Sequence, residues 1–287
     1  MRCELCPRRC NVDRRESVGY CNSPDDMRVA KVMLHKYEEP IISGDENSAG
    51  SGAIFFTGCN MCCLFCQNYP ISRGGVGERV SVERLVEIIK DLERQGANNI
   101  NLVTPTHYAD KIVQALKIYK PKIPIVWNSN GYETTEMVDM ISQYVDIYLV
   151  DLKYFDDTLA MRYSGARDYF ATASRAIKRM RVYQPKDIVE NGLMKKGMIV
   201  RHLILPTHTG DSIKCLDFIA KELGSDTIVS LMSQYEPRYD AYRYPEINRK
   251  ITALEYKRVV SHAIELNLHN AYTQDLSSAD SKYTPKF

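Results

Sequence analysis

The chain has 287 residues, 44% of them hydrophobic and 26% charged, with a formal net charge of +2. This balance suits a folded domain with a full core, excludes a disordered chain, and offers no strong field toward nucleic acid or an anionic membrane. No apolar run reaches the roughly 20 residues that span a bilayer, and the opening MRCELCPRRC lacks the apolar core of a secretory signal, so a cytoplasmic protein is expected.

Residues 1–50 carry four cysteines and few core-like runs, which reads as a Cys-rich metal-binding extension. Six runs rich in β-branched or aromatic residues follow as predicted strands, at 53–56, 100–104, 123–127, 146–151, 198–205 and 227–232. Helical patterns lie between them, at 81–95, 108–119, 134–143, 171–183 and 211–223. In the first of these Val82, Leu85, Ile89 and Leu92 share one face, Ser81 fits an N-cap, and Gly96 fits a left-handed end. The stretch QPKDIVENGLMKKG (184–197) reads as a long loop before the fifth strand. After Tyr235 the tract EPRYDAYRYPEINRK is polar and Tyr-rich, an ordered loop over the barrel mouth or an edge, and a last helix is expected over 253–266.

Strands alternating with helices predict parallel pairing with right-handed crossovers. The expected architecture is α/β: a partial (β/α)6 TIM-like barrel at 51–235, between the Cys-rich extension and a C-terminal loop and helix at 236–287. A doubly wound sheet is the rival. Either fold gathers ligands at the carboxyl ends of its strands.

Eight of the nine cysteines fall within the first 66 residues, and Cys215, in a helical pattern, reads as a buried structural thiol. Directly after the first predicted strand comes Thr57-Gly58-Cys59-Asn60-Met61-Cys62-Cys63-Leu64-Phe65-Cys66. Cys59, Cys63 and Cys66 have Cys-x3-Cys-x2-Cys spacing, so three thiolates can hold three irons of a [4Fe–4S] cubane and leave the fourth open. Cys62 is then a spare thiol. Upstream, Cys3, Cys6, Cys10 and Cys21 form a complete four-thiolate set, suited either to zinc or to a second [4Fe–4S] cluster. Arg8, Arg9, Arg14 and Arg15 around it read by default as solvated.

The cysteine loop resembles the radical S-adenosylmethionine (SAM) signature. The tracts Glu38-Glu39-Pro40-Ile41-Ile42-Ser43-Gly44, Gly50-Ser51-Gly52, Phe55-Phe56-Thr57-Gly58 and Ile247-Asn248-Arg249-Lys250-Ile251-Thr252 resemble the pyruvate formate-lyase activating enzyme-related family, in the branch with an N-terminal Leu-Cys-Pro motif. That resemblance implies SAM bound through its amino and carboxylate groups at the open iron. It also implies a 5′-deoxyadenosyl radical, a protein or peptide substrate such as a glycyl-radical enzyme, and a flavodoxin or ferredoxin donor. Where activating enzymes carry Gly-Gly-Glu, this chain has Thr104-Pro105-Thr106-His107, so backbone carbonyls, Thr106 or His107 must take the SAM amino group. Asn128-Ser129-Asn130-Gly131 is similar to the family's Asp-Thr-Asn-Gly, and Asp151-Leu152-Lys153 to its Asp-Leu-Lys. The resemblance thus gives Lys153 the SAM carboxylate and places Asn128, Asn130 and Asp151 at the cofactor, with a monovalent cation. By position Gln234 faces the ribose. Strand alternation turns one of Arg201 and His202 inward; His202 is taken as the candidate. A radical enzyme acting on a small molecule or RNA, or a fully ligated electron-transfer protein, are the rival functions; near-neutral charge weakens the RNA reading.

Overall fold

A computed structural model describes residues 2–275, Pro285 and Phe287. After the first cysteines the chain forms β1 (Arg28–His35) and the short helix α1 (Pro40–Ser43), then β2 (Ser51–Phe56), which enters the cysteine loop. The helix α2 (Tyr69–Ser72), the two-residue β3 (Glu78–Arg79) and the long α3 (Val82–Arg94) follow. The Ser81 side chain accepts the Arg84 N–H at 3.1 Å, and Gly96 takes φ +82°, so α3 starts and stops at the expected residues.

Next come β4 (Ile100–Val103), a 3₁₀ turn Thr106–Tyr108, α4 (Ala109–Ile118), β5 (Ile125–Ser129), α5 (Thr135–Ile141) and β6 (Ile147–Asp151). Two helices, α6 (Asp157–Ser164) and α7 (Tyr169–Tyr183), precede a hairpin of β7 (Ile188–Glu190) and β8 (Leu193–Leu203). The stretch 184–197 is therefore not a plain loop. Asn191 (φ +51°) and Gly192 (φ +77°) make the two-residue turn that Asn-Gly favours, and β8 begins five residues earlier than its apolar run. The chain continues through α8 (Thr209–Phe218), which widens into a π turn at Ile219–Leu223, then β9 (Ile228–Met232), α9 (Ala253–Glu265) and a short β10 (Ala271–Thr273). A capping box closes the start of α9: the Thr252 side chain accepts from Glu255 N–H, and Glu255 returns a bond to Thr252 N–H.

Strands β2, β4, β5, β6, β8 and β9 run parallel in that order, with β10 parallel beyond β9 and β1 antiparallel outside β2. The sheet is open, a partial barrel. β1 shows that the first 50 residues supply a barrel strand as well as cysteines. Side chains alternate along each strand. One face, with Trp127, Tyr148, Val150 and Val200, packs on the helices; the other, with Val126, Ile147, Leu149 and Ile199, points into the barrel. There α1 inserts Ile41 and Ile42, so the barrel floor is an apolar plug, and the polar strand ends lie above it.

Candidate active site

Cys59, Cys63 and Cys66 line one cavity of about 240 Å³ at the carboxyl ends of the strands. Cys62 does not line it: its sulfur takes the Arg73 Nε–H at 3.2 Å. The three inward thiols are held by polar neighbours. Ser164 Oγ donates to Cys63 Sγ at 3.0 Å, Ser72 Oγ lies 3.3 Å from Cys66 Sγ, and the Met61 N–H and Asn130 Nδ2 reach Cys59 Sγ at 3.4 and 3.5 Å. Burial pushes the Cys59 thiol up to about 12 and the Cys63 thiol up to about 11, so without metal both are neutral. Gly58 brings the loop close to the N-terminal segment: with φ +94°, a Cβ there would stand 2.0 Å from Ser23 Oγ and 2.8 Å from the Cys21 carbonyl oxygen. Phe65 is buried edge-on against Tyr235, which shields the loop from that side.

A second group of residues faces the cysteines. Asp151 accepts Lys153 Nζ at 2.6 Å on one oxygen and Arg201 Nε at 2.8 Å on the other. Arg201 also reaches Asn128 Oδ1 at 2.7 Å and Glu38 Oε2 at 3.2 Å, and Asn128 Nδ2 donates to Glu38 Oε1 at 3.2 Å. Burial alone would raise the Asp151 carboxyl, but the Arg201 and Lys153 charges outweigh it and hold it below the usual range. For Lys153 burial works downward, and Asp151 outweighs it, so the ammonium stays charged. Asn130 lines the cavity and donates to Asn60 Oδ1 at 2.8 Å; Gln234 lines it and accepts Gln67 Nε2 on its carbonyl at 3.2 Å.

Three candidate residues point elsewhere. Just after β4 the chain turns sharply at Thr104 (φ +56°), and the following 3₁₀ turn carries Thr106 and His107 away from the cavity. Thr106 Oγ1 donates to Glu133, and His107 Nε2 meets the Thr57 carbonyl at 2.7 Å, its pKa driven down to about 3 by burial. Thr104 lines the cavity in their place. His202 shares the helix-facing side of β8 with Val200, bonds the Leu152 carbonyl through Nδ1 at 2.7 Å, and is held neutral by burial; Arg201, in register with inward Ile199, enters the site. Arg201, which the sequence weighed against His202, lines the cavity, and so do Glu38, His35 and Tyr37, which sequence reasoning missed. Glu38 had a signal, its place in the Glu38-Glu39-Pro40 tract that carries the family resemblance. It places a carboxylate in the cavity, paired with Arg201 and Asn128.

The N-terminal cysteines form a compact knot against this loop. Asn11 N–H bonds the Cys3 carbonyl at 3.0 Å, Arg9 N–H the Cys6 carbonyl at 3.0 Å, and Tyr20 N–H the Cys10 sulfur at 3.2 Å. Cys6 and Cys21 are buried, whereas Cys3 and Cys10 are partly exposed. Two of the four arginines are not solvated: Arg14 is buried against the carbonyls of Ser23, Pro24 and His107, and Arg8 bonds the carbonyls of Asn60 and Gly165 at 2.8 and 2.6 Å. Among the described residues, no three Cys, His, Asp or Glu side chains close on a single ion.

A family model of the radical SAM superfamily matches residues 53–216, more than half of the chain, and the match spans the three inward cysteines. The chain belongs to the radical SAM superfamily. Membership implies a [4Fe–4S] cluster and SAM, and the donor set fits both. Three thiols face the cavity, no fourth cysteine lines it among the described residues, and a buried ammonium stands nearby for a carboxylate. This radical SAM chain is 32% identical to the uncharacterized protein MJ0674 of Methanocaldococcus jannaschii, over 94% of its own length and 76% of the relative's. Among solved structures it is similar in fold to Streptococcus suis SuiB bound to the precursor peptide SuiA (TM-score 0.52, 15% identity), covering 76% of this chain and 46% of SuiB. It is likewise similar to the hydrogenase maturase HydG of Carboxydothermus hydrogenoformans (TM-score 0.51, 16% identity), covering 75% of this chain and 50% of that one. The chain thus spans about half the length of the solved structures it matches. No helix of the described residues is long and apolar enough to cross a membrane.

Proposed function

We propose that this radical SAM enzyme acts on a peptide segment of a protein substrate, in the manner of a glycyl-radical-enzyme activase. The single observation that carries a radical enzyme is the pairing, across one cavity, of three inward thiols with a buried Lys153–Asp151–Arg201 group. When bound, the cluster and SAM supply one-electron cleavage of the sulfonium to a 5′-deoxyadenosyl radical. The chain's own residues bind and orient. Lys153 presents a charge-assisted donor to a carboxylate, and Asp151 fixes its position. Asn128 and Asn130 offer amides at the end of β5, and the Thr104 turn exposes backbone beside β4. Both oxygens of Asp151 are engaged, so Arg201 supplies the positive charge that the resemblance gives to a monovalent cation. Phe55, Phe56 and Val103 line the cavity walls and exclude water.

The peptide part of the reading is supported by the sequence tracts that resemble those of activating enzymes, by the peptide-bound SuiB neighbour, and by the exposed aromatic Tyr37 at the mouth. The N-terminal cysteines would hold metal as thiolates, and a flavodoxin or ferredoxin would deliver the electron. The test is anaerobic reconstitution, reduction with dithionite, and assay of 5′-deoxyadenosine from SAM. An intact cluster that yields no cleavage product ends the enzyme reading. With a glycine-deuterated protein substrate, deuterium should appear in 5′-deoxyadenosine; transfer only from small molecules would reject the peptide part.

A further inference from the structure

We propose that Cys3, Cys6, Cys10 and Cys21 hold a second [4Fe–4S] cluster, and that this cluster is the one-electron relay into the barrel. The inference rests on the radical reading above and commits to iron over zinc at the N-terminal site.

Ligand count comes first. Four thiolates complete a cubane and leave no iron for SAM, which suits electron transfer and nothing further. Four thiolates can hold either zinc or a cubane, so the choice between them turns on what the site adjoins. The Tyr20 N–H aimed at Cys10 Sγ is the kind of donor that supports a cluster thiolate.

The junction between the two sets gives the site its direction. Cys21 is a ligand of the knot, and its carbonyl accepts the Cys59 N–H at 3.3 Å; Cys59 is a ligand of the barrel cluster. One backbone hydrogen bond therefore links the two ligand residues. Gly58 permits the approach, since a side chain there would strike the same Cys21 carbonyl. Arg8, between Cys6 and Cys10, bonds the carbonyl of Asn60, which follows Cys59, and locks the knot to the loop. Cys6 and Cys21 are buried while Cys3 and Cys10 reach the surface, so the knot has an outer side for a donor and an inner side on the barrel. A purely structural zinc, which has no redox chemistry, gives no reason for this contact. The balance is simple. A reduced low-potential carrier of the ferredoxin or flavodoxin class loses one electron, the knot cluster gains it and passes it on, and the barrel cluster ends reduced. No bond or proton changes at the knot.

The deciding experiment removes the barrel ligands. Full-length Cys59→Ala/Cys63→Ala/Cys66→Ala protein, purified anaerobically, should retain about four irons and four sulfides per chain, with a reduced-state paramagnetic signal that SAM does not alter. Zinc without iron, or no metal at all, overturns the proposal. If that variant does not fold, the wild-type chain answers instead: about eight irons should fall by half in Cys3→Ala/Cys10→Ala, and about four irons in both proteins overturns the proposal. The relay is read from 5′-deoxyadenosine formed with a reduced ferredoxin relative to that formed with dithionite. Cys10→Ser should lose the ferredoxin-driven share, and an unchanged ratio overturns the relay. Wild-type protein that forms no 5′-deoxyadenosine with dithionite would sink the barrel reading alone, since the iron count of the triple variant does not depend on it.

Discussion

Glu133 is buried beside the site, with Oε1 accepting from Thr106 Oγ1 and Trp127 Nε1, each at 2.8 Å. Burial raises its carboxyl from 4.5 to about 6, against the pull of those donors. The folded state therefore binds the proton more tightly than the unfolded state. The stability this confers is full below 4.5 and is lost as pH rises through about 6, a difference of about 2 kcal/mol. Glu133→Gln should remove that dependence. Denaturant melts of metal-free protein on both sides of the window should show the variant gaining on wild type by that amount, and a constant difference would refute it. Lys153→Met tests the cofactor contact: losing one charge-assisted bond of about 1.5–3 kcal/mol should weaken SAM binding about 10–150-fold, with iron content retained, as measured by titration. At this scale the sequence made the thiols of the barrel loop legible because their spacing is local. It could not choose between Arg201 and His202, because neighbouring strand residues differ only in parity, and parity is set by Ile199 and Val200 packing on opposite faces. Glu38 was hidden for another reason. It reaches Arg201 from 163 residues away in sequence, a meeting that no local pattern encodes.

Among the elements, the parallel strands were readable wherever both faces are buried, because a continuous apolar run such as residues 147–150 of β6 has no other use. Short edge pieces were not. β7 is exposed along its length and β10 is only three residues long, so neither carries a hydrophobic signature. The Asn191-Gly192 turn did carry a signal in its dipeptide, overridden by the polar residues around it. α1 is the least expected element, a four-residue helix whose role is to bury Ile41 and Ile42 against Val126, Ile147, Leu149 and Ile199. Ile42 is fully buried. Ile42→Ala should cost about 2–5 kcal/mol through lost contacts and the cavity left behind. Calorimetry should show the lower melting temperature, and a loss well below 1 kcal/mol would mean the floor collapses to fill the space.

Across the whole molecule, β1 and α1, both before residue 50, join the barrel's sheet and floor, while the cysteine knot before them packs on the rim. Gly58 sits at that joint. Gly58→Ala would force a side chain into the left-handed region, a strain of about 1–3 kcal/mol, and would press it on the Cys21 carbonyl. Anaerobically prepared Gly58→Ala protein should hold less iron than wild type; equal iron content would mean that the close approach is dispensable. The plugged floor sets a further condition on traffic. Among the described residues that base is closed to traffic, so whatever reacts beside the cysteines comes to them from the side of the strand ends and not from beneath.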